Sequence, residues 1–404
     1  MRATHPLRLP TSCTLRRLSA LTVVTLALTI SSCSLREGTQ SLAITSLTAQ
    51  EADAVKPQDS ISDMDNQPLS TASGVVTMST SYVAGGIGST AKEMATTVVS
   101  RERSTDKFQW AVSIKPAVAD QERTEYTNSA QSAMNNAMGR SSTGSVVVSP
   151  DGRHLSLILL PAEQQAGESA ADLRTHIVVL EAKTGKTVRD ATVSGIVLGQ
   201  ALTNSSLVVE TAQNYFPAGS GKGILTTFSL TDASAQPFSF PTDKWLVGAT
   251  RENLVLAPNR LPDDCVYGCS LTTVSLVSTE GTTTKSVSGV TAVHPGGWIH
   301  RFADPKAASA LHLRSKAATE EERKAISSSW ETLEQQLVNP SIMKTIDITG
   351  KDTFERGVPT GPGLLVKQEV PTGNGSTESK PAFWLSSTDD GHPHTENLEQ
   401  FENN

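Results

Sequence analysis

Apolar residues in this chain come in short bursts. Examples are Ser145-Val146-Val147-Val148, Leu155-Ser156-Leu157-Ile158-Leu159-Leu160, His176-Ile177-Val178-Val179-Leu180, Ser206-Leu207-Val208-Val209-Glu210 and Lys244-Trp245-Leu246-Val247-Gly248. Gly, Pro, Asp and Ser stand between them. Runs of this length, rich in Val and Thr and bounded by turn formers, predict strands. Long amphipathic helices do not separate the runs regularly. The pattern therefore predicts an all-β fold and disfavours a parallel α/β sheet.

The pattern also repeats. An apolar strand, a turn holding Gly, Asp or Ser, and a second strand recur from Leu180 (Leu180-Glu181-Ala182-Lys183-Thr184-Gly185-Lys186), Leu230, Leu276 and Ile346, at steps of 50, 46 and 70 residues. A period of about 40–50 residues in short strands is that of a propeller blade. The long step holds an insertion. Thr319-Glu320-Glu321-Glu322 forms a capping box. After it Ile326, Trp330, Leu333 and Leu337 fall at helical spacing, up to Asn339-Pro340. Trp330 is expected to pack this helix onto the body. Taking out about 24 residues for the helix and its flanks restores a step near 46. A second helix is predicted over residues 120–138, with Tyr126, Ala130, Met134 and Ala137 on one side. The expectation is a β-propeller of five to seven blades over residues 73–385, with two helical insertions. Gly74-Val75-Val76-Thr77-Met78 is expected to pair with Phe383-Trp384-Leu385 and close the ring, which would remove exposed sheet edges.

Residues 33–72 and 386–404 are polar and lack a sustained period. They are read as a flexible stalk and a disordered tail.

Two segments carry a family resemblance. Val148-Ser149-Pro150-Asp151-Gly152-Arg153-His154-Leu155 resembles the Ser-Pro-Asp-Gly turn of WD40-like propellers, and residues 177–186 resemble the strand and turn of the pyrroloquinoline-quinone-type repeat. The resemblance implies the propeller fold. The quinone-type repeat follows Thr-Gly with a docking Trp, whereas Lys186-Thr187-Val188 follows here and the other hairpins also lack one. No cofactor is therefore expected.

The N-terminus has a pattern of its own. Arg2, Arg8, Arg16 and Arg17 precede or open onto an apolar run of 13 residues, 18–30, and no acid occurs before Glu37. This is the layout of a secretory signal, residues 1–32, and the run is shorter than the roughly 20 residues a spanning helix needs. Leu18-Ser19-Ala20 after Arg16-Arg17 fits a twin-arginine signal poorly. Leu28-Thr29-Ile30-Ser31-Ser32-Cys33 resembles the bacterial lipobox. That resemblance implies cleavage before Cys33, acylation of its thiol, and a lipid-anchored protein facing the extracytoplasmic side of the cell membrane. Two or more acyl chains anchor stably where one does not.

Charge narrows the partners. The chain carries −7, and the signal removes four arginines and no acid, which leaves about −11. An acidic balance without a basic stripe argues against nucleic acid. Outside the signal and Cys33 the cysteines are Cys265 and Cys269, separated by Val266-Tyr267-Gly268. In an exported chain such a pair is expected as a disulfide, the alternative being half of a metal site.

Other candidate chemistry does not assemble. His392-Pro393-His394 lies near Asp389, Asp390 and Glu396 and is read as a solvated tail rather than a metal site. Gly219-Ser220-Gly221-Lys222-Gly223 lacks the spacing of a phosphate-binding loop. Ser149 and His154 belong to a turn, where a Ser hydroxyl bonds local backbone. His294, His300 and Arg301 flank Pro295-Gly296-Gly297-Trp298 as strand ends or as a recognition patch. No catalytic or metal-binding set is assigned. The expected function is a non-enzymatic binding or scaffold module for envelope proteins or polymers. The alternatives are a quinoprotein-like oxidoreductase or glycan-active enzyme, and a ligand sensor coupled to a membrane partner.

Overall fold

A computed structural model describes residues 41–55, 68–81, 95–119, 144–161, 169–213, 223–258, 271–358, 361–372, 376–396 and 398. The chain divides into units 1–37 and 38–404, and all described residues belong to the second. Cys33, the pair Cys265 and Cys269, and the helix predicted over 120–138 lie outside the described residues.

Blade 1 holds β1 (Ala43–Leu47), β2 (Leu69–Ser70), β3 (Val75–Ser81), β4 (Ala95–Arg101) and β5 (Phe108–Lys115), with a short helix α1 (Ala49–Ala54) after β1. Blade 2 holds β6 (Val146–Val148), β7 (His154–Ile158), β8 (Arg174–Glu181) and β9 (Thr187–Ser194). Blade 3 holds β10 (Ile196–Leu202), β11 (Ser206–Ala212), β12 (Gly223–Ser229) and β13 (Phe238–Thr242). A seven-stranded sheet follows, made of β14 (Trp245–Ala249), β15 (Leu254–Ala257), β16 (Thr272–Val277), β17 (Thr283–His294), β18 (Trp298–Phe302), β19 (Gln335–Asn339) and β20 (Lys344–Asp347). It is two blades sharing one long strand: the first half of β17 pairs with β16, and the second half, from Val290, pairs with β18. Blade 6 holds β21 (Lys351–Val358), β22 (Gly361–Pro371) and β23 (Thr377–Ser386). The five sheets, one of them double, make six antiparallel blades among the described residues. The chain is an all-β propeller.

The apolar runs form strands buried on both faces. In β8, Ile177, Val178, Val179 and Leu180 are all fully buried. Alternation sends them to opposite neighbours: Val178 and Leu180 join Val98, Trp110 and Ile114 of blade 1, while Ile177 and Val179 join Leu207, Val209 and Phe228 of blade 3. Each blade is thus an apolar layer between two others, which is why its strands read as continuous rather than alternating.

Antiparallel order divides the molecule into two ends. Connections from first to second and from third to fourth strands lie at one, here the turn end. Connections from second to third strands, and between blades, lie at the other, the loop end. The largest described connection at the loop end joins β18 to β19 through α2 (Pro305–Ala317) and α3 (Glu320–Glu331). The Thr319 capping box is present, with the Glu322 amide donating to Thr319 Oγ1 at 3.4 Å and the Thr319 amide donating to Glu322 Oε2 at 2.8 Å. Trp330 is buried with its ring 5.5 Å from that of Phe302, so it packs the insertion onto blade 5. The helix stops at Glu331, however, and Leu337 is fully buried in β19. The predicted helix ran too far because Leu333 and Leu337 satisfy either period over so short a stretch. α2, capped by Asp304 with Pro305 in its first turn, was not expected.

Three other expectations are corrected. The segment read as a stalk contains β1 and α1: β1 pairs with β5 over its whole length, Ala43 opposite Lys115 through Leu47 opposite Ala111. The segment read as a disordered tail is folded through Glu396 at least in its backbone path, with Ser387 and Gly391 buried and His394 bridged to Trp384. The ring does not close by pairing residues 74–78 with 383–385. β3 pairs with β2 and β4, and β23 pairs with β22. Blade 1 instead meets blade 6 where β2 contacts β21 and β22.

Candidate functional site

The turn end is tied to itself. Thr71, Thr203 and Thr250 each begin a first-to-second-strand turn and are fully buried. Each hydroxyl accepts from the amide three residues on, at 3.2 Å from Gly74, 2.9 Å from Ser206 and 3.0 Å from Asn253. Ser149 plays this part in blade 2: its Oγ accepts from the His154 amide at 3.0 Å and donates to Asp151 Oδ1 at 2.6 Å. Ser149 is thereby a turn residue with its hydroxyl engaged, not a nucleophile paired with the His154 ring. The turns are then bonded in series. The Ala72 amide donates to Gly152 O at 2.9 Å, the Asp151 amide to Asn204 Oδ1 at 3.1 Å, and the Asn204 amide to Arg251 O at 2.9 Å. The Arg251 guanidinium continues to the carbonyls of Ser387, at 3.2 Å, and Asp389.

The third-to-fourth-strand hairpins dock blade on blade. Gly185, at φ +69°, lies under the indole of Trp110, where a Cβ would come within 2.5 Å of the ring. The Trp110 indole N–H donates to Ala182 O at 2.9 Å. Gly281, at φ +85°, lies in the same way under Phe240. Between these two, Arg189 donates to Ala233 O at 2.7 Å. The docking side chain missing after Thr184-Gly185 is therefore supplied by the fourth strand of the preceding blade.

Buried polar groups nearer the loop end tie strands both between blades and within them. Gln200 accepts from Ser156 Oγ at 2.7 Å and donates to Ser145 O at 2.9 Å. Glu210 accepts from the Leu246 amide at 2.9 Å, and Lys244 Nζ donates to Ser275 Oγ at 2.8 Å. His300 is buried, bonded to Gln335 Oε1 through Nε2 at 3.0 Å, and its ring is 6.3 Å from that of His294. Burial, reinforced by His294, lowers the His300 pKa from 6.5 to about 4. His300 is a neutral core histidine, so the recognition-patch reading of His294, His300 and Arg301 is not supported there.

In the C-terminal segment His394 lies flat on Trp384, ring centroids 3.8 Å apart, with Nε2 2.6 Å from Asp389 Oδ2. His392 pairs instead with Asp390 at 3.2 Å. The two histidines serve different carboxylates. Among the described residues no group of three or more His, Cys, Asp or Glu stands close enough to hold a metal, and no helix is long and apolar enough to cross a membrane. The loop end is the candidate functional face: it carries the helical hairpin and the longer connections, while the turn end spends its polar groups on itself. The buried Thr that recurs in three of these turns, Thr203 to Thr250 being 47 residues, is a signal the sequence offered and the strand pattern obscured.

No protein-family model matches the chain, and no curated protein matches it. Among solved structures it is similar to the β-propeller domain of the trilobed protease from Pyrococcus furiosus, at 8% identity over 64% of this chain and 73% of that one, TM-score 0.32. It is also similar to the acylaminoacyl peptidase of Pyrococcus horikoshii, at 10% identity over 78% of this chain and 50% of that one, TM-score 0.34. A third is TolB from Acinetobacter baumannii, at 10% identity over 75% of this chain and 60% of that one, TM-score 0.30. The chain thus spans half the length of the peptidase and three-fifths of TolB.

Proposed function

We propose that this chain is a lipid-anchored β-propeller on the extracytoplasmic side of the cell membrane that acts as a binding or scaffold module for envelope proteins or polymers. The observation that carries this is the contrast between its two ends. The turn end commits its polar groups to ties between blades, which leaves the loop end to meet a partner. The lipobox-like segment ending in Cys33 supplies the address. In the sequence Cys265 and Cys269 fall between β15 and β16, and a disulfide between them would stiffen that connection.

The test is metabolic labelling with palmitate, membrane fractionation, and a cross-linking pull-down from intact membranes. The native chain should be labelled and sediment with membranes, and Cys33→Ala should move it to the soluble fraction with its Tm unchanged. A Cys33→Ala chain still acylated and cut at the same place would refute the anchor. Turnover of an envelope substrate by the purified ectodomain alone would refute the binding role.

A further inference from the structure

We draw no further inference here: the strongest candidate, the outer edge of β23 on blade 6, which among the described residues the C-terminal segment meets in the single bridge of Trp384 with His394, carries nothing because nothing in the structure shows what covers the rest of it.

Discussion

Blade 1 has five strands and blade 6 has three. The chain's two flanking segments explain the difference. On blade 1, residues 43–47 add an outer strand through five register pairs with β5. On blade 6, residues 387–389 first run past Arg251 across the turn end, and the segment then returns to make a single bridge to β23, Trp384 with His394. The free edge of β23 carries Glu378, Lys380 and Pro381. Charges and proline at an edge discourage pairing with another chain. One end of the chain completes a sheet and the other ties turns together. Both use backbone groups and a few side chains, with little apolar burial.

The comparison is broken most severely at Trp110, which holds blade 1 to blade 2. Trp110→Ala removes a buried indole, its bond to Ala182 O and its cover over Gly185. A loss of about 3–5 kcal/mol is expected in chemical denaturation.

Acid should strain the blade 6 side first, through its neighbour blade 5. The unfolded chain protonates His300 near 6.5, but burial keeps the folded imidazole neutral down to about 4. Between those values the unfolded state binds more protons, so stability is complete above about 6.5 and falls as pH drops toward 4, by roughly 3 kcal/mol at most. His300→Gln should flatten the Tm profile between pH 7 and 4. Hydrogen exchange in the native chain should lose protection in β18 and β19 before β4 and β5. An unchanged acid profile in the variant would assign the sensitivity elsewhere.

The strap on blade 6 can be cut without touching blade 1. Arg251→Ala deletes the donor to the carbonyls of Ser387 and Asp389. Hydrogen bonds from charged groups contribute about 1.5–3 kcal/mol. Exchange should speed up over residues 387–394, and the emission of Trp384 should change as His394 leaves its ring. Protection in β1 and β5 should stay as it was.

How much of this was legible follows from where apolar burial acts. The propeller could be read because Ile177, Val179, Leu207 and Val209 sit in blade interiors and repeat with the blade. The two straps could not. Ala43, Thr45 and Ser46 are exposed and their contribution is backbone pairing to an edge that exists only once blade 1 has folded. Ser387 and Gly391 are buried by close approach to Gly296, Trp298 and Ile342, which no periodicity announces. The docking aromatic was sought after Thr184-Gly185, but the contact is made from Trp110, 75 residues earlier. The loop end was missed for another reason: in a propeller the functional face is defined by which connections share an end, and topology, not local pattern, decides that.

The smallest effect is the most informative about β1. Arg101, 29% exposed, pairs with Asp53, 60% exposed, and a partly exposed pair contributes about 0.2–1 kcal/mol. Arg101→Gln should therefore leave the Tm within error while raising amide exchange in residues 43–47 by roughly two- to fivefold. That pattern means β1 opens locally, as an accessory laid on a finished blade. If the Tm falls together with β1 protection, β1 is part of the cooperative blade. The five-stranded sheet would then be a unit of folding, unlike the strapped edge of blade 6.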